Sequence, residues 1–220
     1  NELKPDKIRL VAYWDEIEKE KNNYNFSDLN WQLKEAEENN TKIILVVGMK
    51  VPRWPECHIP DWAKSISIEE RERELREYLG EVVNRYQKYP ILKAWQVENE
   101  PFLLFGECPE RLTNFLSNEI ALVKSIDPTH PVIVTDSGEL GLWYKAARFG
   151  DIFGTTMYRR VHSDLWGYVD YHLPPGFFVL KERLIRFLLG DYDKKFIVIE
   201  LAAEPWMQKQ IYETPISEQF

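Results

Sequence analysis

The chain has 220 residues, 44% hydrophobic and 29% charged, enough to bury one α/β core and ordinary for a soluble globular protein. A formal net charge of −8 argues against partners that are themselves anionic, so nucleic acid and acidic membrane surfaces are set aside. The unusual figure is an aromatic content of 14% with eight tryptophans, several in expected loops, where an indole face suits the C–H face of a sugar ring.

No apolar run approaches a membrane span, and the opening residues Asn1 to Lys7 are polar with no signal-peptide pattern. The expected setting is cytosolic, or extracytoplasmic after removal of a leader. Ile8 to Tyr13 reads as a strand, with Trp14, Asp15, Glu16 and Glu18 after it. Ser27 is expected to cap a helix to about Asn39, with Leu29, Leu33 and Ala36 inward. Lys42 to Gly48 has no alternation, the mark of a strand buried on both faces. A long Pro-rich loop, Val51 to Trp62, follows. Ser67 with Glu70 forms a capping box that opens a helix to about Tyr89, whose apolar stripe includes Leu75, Leu79 and Val82.

Ile91 to Val97 reads as a strand that delivers Glu98, Asn99 and Glu100 at its carboxyl end, where Pro101 stops the ladder. A helix from about Pro109 to Ile126, a strand over Val132 to Thr135 and a helix around Leu140 to Phe149 come next. The strand Ile152 to Tyr158, a loop rich in Tyr and Trp, a helix from Phe177 to Leu189 and the strand Phe196 to Ile199 running into Glu200 complete the order. Strands alternating with helices predict a single α/β domain over residues 1–220, either a barrel or a doubly wound sheet. No strand is followed by GxGxxG or GxxxxGK, so no nucleotide cofactor is expected.

Glu100 and Glu200 are the two acids that directly end apolar strands. Such a pair suits glycosidic bond cleavage, in which one carboxyl protonates the leaving oxygen and the other attacks the anomeric carbon. The acid must hold its proton near neutrality and the nucleophile must stay charged. Arg9 and Tyr158 are the cation and hydroxyl expected beside Glu200. Strand alternation would give Glu98 the same facing as Glu100, so it is expected deeper in the barrel as a buried hydrogen-bonding residue. Glu204 lies beyond the last strand and is the lesser rival of Glu200.

The run Trp95-Gln96-Val97-Glu98-Asn99-Glu100-Pro101 resembles the Asn-Glu-Pro signature of clan A retaining glycoside hydrolases, the group that includes cellulases, mannanases and β-galactosidases of families 5 and 42. Ile8-Arg9-Leu10, Asp127-Pro128-Thr129-His130-Pro131, Tyr158 and Ile199-Glu200-Leu201 are similar to further clan landmarks and fall in the clan's order. The resemblance implies a TIM (β/α)8-type barrel and a retaining β-glycoside hydrolase, with Glu100 as acid/base and Glu200 as nucleophile. It implies that Asn99 bonds the sugar 2-hydroxyl and that Tyr158 and Arg9 position the nucleophile. Only six βα units are visible, matching units two to seven, so the barrel is expected to be incomplete at both ends. A non-catalytic carbohydrate-binding barrel is the alternative. A carbonyl-chemistry barrel is disfavoured because no lysine is seen at a strand end.

The expected partner is a carbohydrate, contacted from the Val51 to Trp62 loop by Trp54 above all, with Arg53, Glu56, His58 and Trp62 beside it. Trp14, Trp143, Trp166 and Trp206 are further candidates on the same face. Cys57 and Cys108 follow consecutive strands, so they either form a disulfide, which would mean an oxidising compartment, or remain free thiols. The four histidines show no metal-ligand spacing, and no metal is expected. The sequence carries no signal for oligomeric state.

Overall fold

The computed structural model describes residues 4–163, 167–202, 206–207 and 210–211. Its strands are β1 (Lys7–Val11), β2 (Lys42–Val47), β3 (Leu92–Val97), β4 (Val132–Asp136), β5 (Ile152–Tyr158), β6 (Arg160–Ser163), β7 (Gly167–Asp170), β8 (Lys195–Ala202) and the short pair β9 (Trp206–Met207) and β10 (Gln210–Ile211). Between them run α1 (Trp14–Ile17), α2 (Ser27–Glu38), α3 (Asp61–Lys64), α4 (Ile68–Tyr86), α5 (Phe115–Ile126), α6 (Tyr144–Ala147) and α7 (Pro175–Leu189). Six strands form one parallel sheet in the order β1-β2-β3-β4-β5-β8, curled as an incomplete TIM-type barrel. β6 and β7 make a separate antiparallel hairpin inside the Tyr- and Trp-rich stretch.

Parallel strands need crossovers, and the crossover helices bury the outer face of the sheet. That is why β2 is apolar without alternation, with Ile43, Leu45, Val46 and Val47 all fully buried. Helix α4 turns Leu75, Leu79, Val82, Val83 and Tyr86 onto the same core, which joins Leu33 of α2, Val123 of α5 and Trp95 of β3. Ser67 caps α4 by accepting from the Glu70 N–H. The Asp127 to Pro131 joint is a knot around one carboxylate. Asp127 accepts from Trp95 Nε1 at 2.8 Å, from His130 Nδ1 at 2.6 Å and from Thr129 Oγ1 at 2.6 Å. Burial pushes the other way, but these donors hold the Asp127 carboxyl below the usual carboxylate range.

Three local expectations are corrected. Ser27 is the first helical residue of α2 rather than its cap; Phe26 holds the cap position, and the Ser27 N–H donates to Asn25 Oδ1 at 3.0 Å. Helix α5 starts at Phe115, because Arg111 leaves any helical course to reach a buried carboxylate cluster. The helix around Leu140 shrinks to α6, because Asp136 draws in the Trp143 N–H at 3.1 Å and Trp143 takes a φ of 67°. A Cβ on Gly141 would stand 2.4 Å from the Asp136 carboxylate, so this turn wraps tightly around that group.

Candidate active site

The carboxyl ends of the six strands converge on one face, as parallel barrels arrange their sites. β1 contributes Arg9, β2 leads to Gly48 and Lys50, and β3 leads to Asn99 and Glu100. Thr135 comes from β4, Thr156 and Tyr158 from β5, and Glu200 from β8.

Past Val97 the backbone stops being a strand. Glu98 and Glu100 take φ values of 60° and 45°, in the left-handed region that side chains seldom adopt. The chain therefore reverses its facing twice in three residues, and the alternation expected to set Glu98 beside Glu100 does not hold. Glu98 is fully buried, as expected, but it turns toward the helices. Its Oε1 accepts from Met49 N at 2.8 Å and from Arg111 at 3.2 Å, and its Oε2 accepts from Lys50 N at 2.8 Å. Gly48 makes this possible, since a Cβ there would stand 2.6 Å from Glu98 Oε1. Arg111 also binds Glu72 and Glu119, so one guanidinium serves three carboxyls. Burial, then the Glu98 charge, keeps the Glu119 carboxyl well above the usual range.

Glu100 faces the other way. Its N–H donates to Thr135 Oγ1 at 2.8 Å, and its Oε1 accepts from Thr156 Oγ1 at 3.2 Å. Burial first, then the charge of Glu200, pushes its carboxyl up to about 8, against the pull of Lys50 and Thr156. Glu200 is held on both oxygens, by the Arg9 guanidinium on one and the Tyr158 hydroxyl on the other. Tyr158 itself is pushed far above an ordinary phenol by burial and the Glu200 charge, so it remains a donor. Arg9 also reaches Gln96 Oε1 at 3.4 Å. The ladder between β5 and β8 skips a residue here: Thr155 pairs with Val198, but Thr156 pairs with Glu200. Such bulges recur beside active sites because they re-aim side chains.

Asn99 is buried beside them, its Oδ1 accepting from Gln96 Nε2 at 3.2 Å and its N–H donating to Lys50 O at 2.6 Å. Its side chain also bonds Glu56, a third carboxyl that burial and the Glu200 charge push up to about 7 against the nearby Lys50 cation. Glu56 is fixed by its loop. Cys57 and Cys108 form a disulfide with Cα atoms 5.1 Å apart, and Glu107 N donates to Pro55 O at 3.0 Å. Trp54 and Phe105, 50% and 55% exposed, meet edge to face across the same pair of loops.

Three expected contacts are engaged within the protein instead. Trp14 is fully buried under α4, its Nε1 donating to Glu18 at 2.7 Å and its rings packed on Trp62 and Tyr78, so it has no face to offer a ligand. Trp143 is likewise buried, packed on Phe153. His58 is 9% exposed and both its ring nitrogens have protein partners, Asp15 at 3.2 Å and the Arg53 carbonyl at 3.3 Å, so it braces the loop. The side chain of Trp206, together with Trp166 and Glu204, lies outside the described residues. Lys50, Thr135 and Thr156 were missed. Lys50 lies three residues beyond the end of β2 and is 5% exposed in the site. Among the described residues, no group of three His, Cys, Asp or Glu is arranged to hold a metal ion, and no helix is long and apolar enough to cross a membrane.

The family model described as "Glycosyl hydrolase family 10" matches residues 11–113, a stretch that includes Asn99 and Glu100 and ends well before Glu200. A probable mannan endo-1,4-β-mannosidase F from Emericella nidulans is 32% identical over 78 residues, which is 36% of this chain and 17% of that protein. Xylanase 10B from Thermotoga maritima superposes with a TM-score of 0.62 at 17% identity, over 90% of this chain and 62% of that one. A β-galactosidase from Rahnella sp. R3 gives a TM-score of 0.65 at 13% identity, over 96% of this chain and 42% of that one. The chain therefore spans less than two thirds of these relatives' own length, and the structural likenesses establish the barrel fold. The chain resembles the clan A glycoside hydrolases, and the matching family model is family 10 rather than family 5 or 42.

Proposed function

We propose that residues 1–220 are the larger part of a single barrel domain in a retaining β-glycoside hydrolase acting on β-linked sugars or oligosaccharides, with Glu100 as acid/base and Glu200 as nucleophile. The observation that carries this reading is the difference in surroundings between two carboxyls at the ends of β3 and β8, strands that β4 and β5 separate in the sheet. Burial and the Glu200 charge push Glu100 up to about 8, so it enters the reaction protonated. Glu200 has a guanidinium on one oxygen and a phenol on the other, partners that bind the anion. A raised acid and a second carboxyl held on both oxygens are what double displacement requires.

In the first step a Glu200 oxygen bonds to the anomeric carbon as the bond to the leaving oxygen breaks, and Glu100 gives its proton to that oxygen. In the second a water attacks the same carbon, its proton passes to Glu100, and the ester electrons return to Glu200. Asn99, buried beside Glu100 with its carbonyl oxygen engaged by Gln96 and its side chain on Glu56, is the residue assigned to a sugar hydroxyl. Trp54 offers a half-exposed indole for stacking on a ring. The disulfide supports an extracytoplasmic setting.

The test is hydrolysis of a panel of aryl β-glycosides, with NMR of the first-formed anomer. E100Q and E200Q are each expected to remove turnover, and the wild type to give the β-anomer first. Glycan binding with no turnover in the wild type would point to a binding barrel instead.

A further inference from the structure

Lys50 stands three residues past the end of β2, buried, in a position no sequence motif marks. Every polar group of this residue is committed to the turn that carries Glu100. Its N–H donates to Glu98 Oε2 at 2.8 Å, and its carbonyl accepts from Asn99 N at 2.6 Å. Its Nζ donates to the carbonyls of Glu100 at 3.1 Å and Leu103 at 2.6 Å. A turn that holds two glutamates at positive φ persists only where its surroundings fix it. The charges facing the ammonium are the carboxyls of Glu56, Glu98, Glu100 and Asp136. Of the other described cations around these carboxyls, Arg9 is engaged with Glu200, Arg111 with Glu98, and Lys181 with the carbonyls of Gly138 and Gly141.

We propose that Lys50 is the positioning residue of the acid/base: its ammonium clamps the turn that aims Glu100 and supplies the fixed cation that lets this carboxyl alternate between giving and taking a proton. The proposal rests on the glycosidase reading above. Once the sugar is bonded to Glu200, that carboxylate becomes a neutral ester, and of the two largest causes that raise Glu100 only burial is left. Lys50 remains, and it favours the Glu100 anion that must take the proton of the attacking water. Removing the charge starves the second step of its base while sparing the first.

Two variants separate charge from clamp. K50Q keeps an amide donor and loses the cation; K50R keeps the cation. Carboxyl-carbon NMR titration of Glu100 in the full chain, its signal identified by loss in E100Q, reads the charge without turnover. In K50Q the Glu100 titration is expected to move up by about one pH unit, a tenfold change in its proton equilibrium, while K50R stays with the wild type. An unmoved Glu100 in K50Q overturns the proposal. The same coupling is legible from the other side, because the Lys50 ammonium titration should move down in E100Q; an unchanged Lys50 there overturns the proposal whether or not K50Q folds.

With a dinitrophenyl β-glycoside, whose leaving group needs no acid, K50Q is expected to lower kcat and KM together, about tenfold for the same one-unit change. A purely structural role would instead lower kcat/KM. Should the wild type turn over no glycoside, the enzyme reading fails, while the two titrations still decide the charge role of Lys50.

Discussion

The hydroxyl of Thr156 donates to Oε1 of Glu100 at 3.2 Å. The same residue is the sheet partner of Glu200, so one threonine touches the proposed acid and neighbours the proposed nucleophile. A donor on a carboxylate favours its charged form. Thr156→Val is therefore expected to raise the high-pH limb of the kcat/KM profile. It should also slow the base-dependent step roughly fivefold, the equivalent of about 1 kcal/mol. A pH profile that overlays the wild type would remove Thr156 from the mechanism.

Tyr158→Phe deletes the hydroxyl that binds one oxygen of Glu200 and leaves Arg9 on the other. A hydrogen bond to a charged group contributes about 1.5–3 kcal/mol, so kcat/KM is expected to fall roughly ten- to a hundredfold. The melting temperature should change little. Steady-state kinetics beside thermal melts separate the two effects, and a loss of stability without loss of rate contradicts the assignment.

Burial pushes Glu100 up to about 8 and Glu56 up to about 7. A carboxyl raised in the fold binds its proton more tightly there than in the unfolded chain, where it titrates near about 4.3. Its stabilising contribution is complete below that unfolded value and is lost as pH rises through the folded one. Stability is thus expected to decline from weakly acidic to weakly alkaline pH. Glu100→Gln, which fixes the neutral form, should melt with the wild type at about pH 4 and above it at about pH 9. Parallel curves across that range would contradict the shift.

Arg111 is the one cation bound to Glu72, Glu98 and Glu119 among the described residues. Arg111→Met strands buried carboxyls, and breaking a buried pair in this way costs about 3–5 kcal/mol. Urea denaturation is expected to show that loss. Lys64→Met, which removes an exposed partner of Asp61, should be close to neutral.

Cys57 and Cys108 are 51 positions apart. Closing a loop of that length removes unfolded-state entropy worth about 4 kcal/mol. Reduction, or the Cys57→Ser Cys108→Ser pair, is expected to lower the melting temperature. It should also raise KM for oligosaccharides more than for aryl monosaccharides, because Trp54 and Phe105 ride on the two joined loops. Equal KM values before and after reduction would free the loops from any binding role.

The parallel sheet was legible because strands buried on both faces are written as unbroken apolar runs, as in Ile43 to Val47. Glu100 and Glu200 stood out because each ends such a run, and Arg9 and Tyr158 because they occupy strand positions that reach Glu200. The opposed facings of Glu98 and Glu100 were not legible, since alternation presumes extended backbone and both residues are left-handed. Trp14 looked like a rim residue until α1 rolled it beneath α4. Lys50 carried no signal at all, because its importance lies in which carbonyls approach its ammonium, and those belong to residues about half a hundred positions away.

The skipped residue between β5 and β8 has its own consequence. Facing in a strand has a period of two, so a change of one in the count exchanges inside for outside. Losing or gaining a single residue between Phe196 and Ile199 would rotate Glu200 out of the lumen and bring an aliphatic neighbour in. This segment should forgive many replacements of kind and no change of number.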